Sequence, residues 1–141
     1  MATYTKYNTF VDELSKGGHN LQTAVFKVAL TNTAPTVATD TVWNTTVAPA
    51  PAAANGYTAG GNTLTTSSAA TTSGTFKLVL ADSTFTATAG GIGPVRYAII
   101  YNSSASNKLV AYYDYGSSIT LNNTETLVVD FDGTNGFHTI A

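Results

Sequence analysis

The chain has 141 residues, no cysteine, only 10 % charged residues and a formal net charge of -2. That length suffices for one domain able to withdraw roughly 70 % of its unfolded surface from water without covalent staples. The missing cysteines exclude disulfides, a thiolate nucleophile and a cysteine-held metal, and six Lys and Arg leave no basic patch for phosphates, so nucleic acid is excluded as the main partner. The opening MATYTKYN lacks a basic stretch ahead of an apolar core, and no apolar run approaches the ~18 residues of a membrane span. A soluble chain with no export signal and no membrane partner is therefore expected.

Residues 5–16 carry the only good helical pattern: Tyr7, Phe10, Val11 and Leu14 fall at i, i+3, i+4 and i+7 and form one apolar stripe. Thr5 can cap the start, and Gly17 and Gly18 can end it. About three turns are marginal alone, so the stripe must dock, either on its own domain or on a neighbouring subunit. Residues 1–20 are thus set apart as a helix or arm, and residues 21–141 as the β domain. Residues 21–32 alternate, with Ala24, Phe26, Val28 and Leu30 on one face, and predict a strand. A Pro-, Ala- and Thr-rich loop follows over residues 33–55, with a short helical turn around 40–44. Its prolines at 49 and 51 favour extended backbone and forbid a central strand. Trp43 within it is either a plug over the core or an anchor at an intersubunit contact.

In GYTAGG, residues 56–61, the glycines allow positive φ, and Tyr57 can pack while its hydroxyl bonds to backbone. A phosphate-cradling loop would need a strand before it and a helix after, whereas a Thr-rich strand pattern follows. Residues 63–69 predict a polar edge strand, and 75–81 and 84–88 a hairpin turning at Asp82 and Ser83. The run from 93 to 116, GPVRYAIIYNSSASNKLVAYYDYG, predicts a central hairpin with a polar turn. Neither of its strands alternates cleanly, so both faces need cover, by a second sheet on one side and by another chain or layer on the other. Residues 125–131 complete the core with Leu127, Val129 and Phe131, and the tail adds a short strand. Turns about every 8 to 12 residues give an all-β, single-domain sandwich or barrel, jelly-roll-like, of about eight strands with a short N-terminal α-helix.

The sequence offers no catalytic pattern. His19 and His138 are far apart and no HxxH, HxH or HExxH spacing occurs, so neither a metal nor a cofactor is expected. Asp130-x-Asp132-Gly133 begins like a calcium loop but lacks the later acidic ligands and is better read as a turn. Asp114 and Asp130 could face one another as a glycosidase pair, but bonds to Thr, Tyr or Arg96 are the simpler expectation. No serine lies in GxSxG.

GYTAGG with Leu64 after it, then RYAIIY and LVAYYDYG, resembles a group of small virion proteins of tailed bacteriophages, over roughly residues 21 to 131. The resemblance implies a structural role in the particle. The expected role is a capsid decoration, or cement, protein that binds the outer surface of the major capsid protein lattice and stabilises the expanded shell. It would be assembled in the host cytoplasm, and a homotrimer would suit the local three-fold sites of the shell. A surface of Thr, Ala, Ser, Gly and Asn fits this role because it loses little when desolvated against another protein. The expected contact residues are Tyr7, Phe10, Leu14, Trp43, Tyr57, Tyr112 and Tyr115. The alternative is a tail- or head-fibre component whose loop aromatics touch host glycan. A small hydrolase ranks last.

Overall fold

The computed structural model describes residues 2–44 and 50–141, so Pro49 and part of the extended-loop reading lie outside the described residues. Among the described residues ten strands run in chain order: β1 Thr3–Lys6, β2 Phe26–Thr31, β3 Asn62–Thr63, β4 Thr66–Thr72, β5 Thr75–Leu80, β6 Ser83–Thr86, β7 Ile92–Asn102, β8 Lys108–Leu121, β9 Thr126–Val129 and β10 His138–Ile140. One helix, α1 Asn8–Ser15, lies between β1 and β2, and a single 3-10 turn joins β7 to β8. All pairings among the described residues are antiparallel, in sheets ordered β1-β8-β7-β2-β3, β10-β5-β4 and β6-β9. The all-β class with a short N-terminal helix therefore holds.

The hairpin of β7 and β8 is the centre of the large sheet. Register puts Val28, Leu30, Ala98, Ile100, Ala111 and Tyr113 on one face and Ala29, Ile99, Tyr101, Leu109 and Tyr112 on the other. The two smaller sheets cover the first face: Tyr113 meets Phe131 edge-on at 5.8 Å, Tyr4 meets Phe137 at 5.7 Å, and Leu78 and Leu80 join the same core. The second face is covered by the chain's own residues 33–44. There the Trp43 ring stacks on Tyr101 at 4.7 Å and 8°, the Trp43 backbone N–H donates to the Asn107 carbonyl, and Leu109 N–H donates to the Thr41 carbonyl. The doubly apolar hairpin thus finds its second layer within the same chain, which removes it as a sign of assembly.

Several expectations need correction. Thr5 is not a helix cap but a β1 residue paired with Tyr112, and the helix begins at Asn8 behind an extended Tyr7. The reason lies in β8, where Val110 is an extra residue between the Ile100–Ala111 and Tyr101–Leu109 pairs. The freed Val110 carbonyl accepts the Tyr7 N–H at 3.1 Å and ends the strand where the helix starts. Residues 40–44 form no helical turn; Val42 bridges to Lys108 instead. β5 and β6 do not pair as a hairpin, since β5 lies between β10 and β4 while β6 pairs with β9. Asp82, between them, accepts the Phe131 N–H at 2.9 Å and diverts the chain toward β9.

Candidate functional site

The three motif segments build the core. Tyr57 is 3 % exposed, its oxygen accepts the Leu30 N–H, and the Tyr101 hydroxyl donates to the Gly60 carbonyl at 2.7 Å. Gly61, at φ +75°, lies so close to β2 that a Cβ there would run into the Val28 carbonyl oxygen. GYTAGG is therefore the fastening between the loop and the β2–β7 pair, and no ligand cradle is needed to explain its glycines.

Of the expected contact residues, Tyr7, Phe10, Trp43 and Tyr57 are all buried inside this chain, at 1 %, 0 %, 8 % and 3 % exposure. They are not available to a partner, because the helix and the 33–44 segment dock on the chain's own sheets. Tyr112 is half-buried between Tyr7 and Tyr97. Leu14 and Tyr115 are half-buried at the surface.

Leu14 borders a hollow of about 450 Å³ that also touches His19, Leu21, Phe76 and Ile140. β10 brings Ile140 directly opposite Phe76 on β5, and α1 supplies Leu14 from the other side. Val11, one turn before Leu14 on the helix, is 51 % exposed, and Ile140 is 41 % exposed. The predicted stripe thus divides, with Tyr7 and Phe10 facing in and Val11 and Leu14 at the rim. Leu21, Phe76 and Ile140 are not among the expected contact residues. Their partnership arises only when the C-terminal strand returns to β5.

His19 sits at this hollow, 5 % exposed. Asn102 Oδ1 accepts from both the N–H and the hydroxyl of Ser104, which turns its Nδ2 toward His19 Nδ1 at 3.1 Å. An amide nitrogen only donates, so Nδ1 carries the lone pair and the neutral ring bears its proton on Nε2. Burial lowers the His19 pKa, and Lys108 pushes the same way, against Glu13. Burial likewise lowers His138, helped by Lys6. Both groups bind protons more readily in the unfolded chain. Stability should therefore be full above about pH 6.5 and be lost as the pH falls through the lowered folded values. The urea midpoint should be level from about pH 7 to 8 and fall toward pH 5; a midpoint unchanged down to pH 5 would contradict the assignment.

Among the described residues no group of three or more His, Asp or Glu could hold a metal. Asp114 does not face Asp130. Its carboxylate takes two hydrogen bonds from Arg96, at 2.7 and 2.9 Å, which hold it below the usual carboxylate range. Asp132 accepts from the N–H groups of Thr134 and Asn135 and from the Asn135 side chain, closing the Asp-Gly turn. Among the described residues no helix is long and apolar enough to cross a membrane. No protein-family model, no curated protein and no solved structure matches the chain.

Proposed function

We propose that this chain is a structural protein of a tailed-bacteriophage particle, a decoration or cement protein seated on the outer surface of the major capsid protein lattice. The observation that carries the reading is the hollow where the half-buried Leu14 and Phe76 meet the exposed Ile140, apolar side chains from three elements on a surface with little charge. The resemblance of the GYTAGG, RYAIIY and LVAYYDYG segments to small virion proteins supports the same role. Three copies around a local three-fold position would let several weak contacts sum to lasting attachment. The fibre reading gains nothing from Trp43 and Tyr57, the aromatics it would offer to sugar rings, because both are inside the chain.

The test uses purified particles lacking the protein, to which the chain is added back and its copy number measured. Ile140→Asp changes an exposed residue and should leave the fold intact, with a change in stability of about 0.5 kcal/mol or less. Its occupancy should fall at least about tenfold, the effect of placing an unpaired charge in an apolar contact. Occupancy equal to that of the unaltered chain would overturn the hollow as the attachment surface.

A further inference from the structure

A second surface feature lies away from the hollow. A groove of about 640 Å³ runs lengthwise along residues 128–133 and is closed on its other side by Ala2, Tyr113 and Tyr115. Along this stretch Leu127, Val129 and Phe131 point into the core, while Val128, Asp130 and Asp132 are exposed. β9 hydrogen-bonds to β6 along one edge only, and among the described residues no strand occupies the other. Among the described residues β8 is likewise unpaired on its β1 side beyond Asp114, which pairs with Thr3 at the start of β1. The groove therefore adjoins the open edge of β9 at Val128 and Val129, while beyond the strand the Phe131 N–H is taken by Asp82 and the Asp132 carbonyl by the Gly136 N–H.

Its charge is one-sided. Asp130 and Asp132 border it, and no Lys or Arg does. Asp132 is tied into its turn, and Lys77, whose charge it feels, donates instead to the Thr134 carbonyl at 3.0 Å. Asp130 is exposed and makes no hydrogen bond or ion pair within the described residues. Tyr113, whose pKa burial pushes up to about 12, is a neutral donor beside these carboxylates. A second copy entering by the same edge would set Asp130 and Asp132 against their own counterparts, and like charges directly opposite one another are unfavourable.

We propose that the groove takes an extended, lysine- or arginine-bearing segment of another protein, which adds to β9 as a strand and sets its cations against Asp130 and Asp132. The backbone bonds would give affinity, and the carboxylates would select the partner.

The experiment is an amide-resolved NMR titration of the full chain with two capped peptides, TKVKVT and TEVEVT. The lysine peptide should shift the amides of Val128, Asp130 and Gly133 saturably, and the glutamate peptide should bind at least about tenfold more weakly. Asp130→Lys, an exposed change that should leave the spectrum dispersed, offsets the charge of Asp132 and should abolish that preference. Absence of saturable shifts with either peptide, equal binding of the two, or shifts placed elsewhere would each overturn the proposal. So would concentration-dependent shifts of the same amides without peptide, which would make a second copy the occupant. None of these outcomes bears on the hollow at Leu14, so this proposal and the particle reading stand or fall separately.

Discussion

Replacing Phe10 by Ala should destabilise the chain by about 3–5 kcal/mol, the range for emptying a buried aromatic site. Phe10 is 0 % exposed and meets the rings of His19 and His138 at 5.1 and 5.0 Å, so it connects the helix to the C-terminal strand and to the loop before β2. These surroundings are held by backbone bonds to other elements and cannot collapse freely onto the cavity. Behind the helix, Tyr7 N–H bonds to Val110 and Asn8 N–H to Val37. For a domain of this size the melting temperature should drop by roughly 10 °C or more. Removing residues 1–16 should be worse, because it strips β1 from the edge of β8 and opens the core under Phe10. The expectation from an arm that grips only a neighbour is the opposite, a β domain still folded without it. A loss below about 1 kcal/mol for Phe10→Ala would restore that arm.

Gly61→Ala should be the most damaging single methyl in the chain. The residue sits at φ +75°, where an L side chain itself costs roughly 1–2 kcal/mol. The larger part comes from position, since the new Cβ meets the Val28 carbonyl and lies 2.7 Å from the Ala29 Cα, both backbone atoms of a buried strand. Neither can move without disturbing the β2–β7 ladder, so a loss above about 4 kcal/mol or failure to fold is expected. Gly133→Ala is the control. Its φ is ordinary and nothing lies within 4 Å of the added methyl, so it should stay within about 0.5 kcal/mol of the parent. Equal melting temperatures for the two variants would show that the GYTAGG fastening is not as described.

What the sequence revealed was governed by local periodicity. β2, the β7–β8 hairpin and β9 were readable because alternation and β-branched content are properties of consecutive residues. Even the Tyr57 hydroxyl bond to backbone was foreseen, as a polar handle on a packed ring seldom goes unpaired. β1 was hidden because four residues of TYTK run into a stripe of helical period, and its pairing with β8 depends on a bulge more than a hundred residues away. The Asp82 turn was visible, but its destination was not, because the Phe131 N–H that Asp82 accepts comes from a distant loop.

The same reasoning explains the candidate sites. Trp43 could be singled out as a lone aromatic in a polar loop, yet only the structure shows it stacked on Tyr101. Leu14 was readable as the last residue of the stripe. Phe76 and Ile140 became its neighbours only through the β5–β10 pairing, which no local pattern announces. The acidic groove combines β8, β9 and the residue before β1 and was invisible for the same reason.

The most direct measurement for the particle reading is a sub-nanometre density map of purified virions with the chain fitted into it. The account predicts a regular lattice of this domain over the shell, with the Leu14 and Ile140 face turned toward the coat protein. Density confined to the neck, tail or vertices, or a lattice in which that face points to solvent, would contradict it.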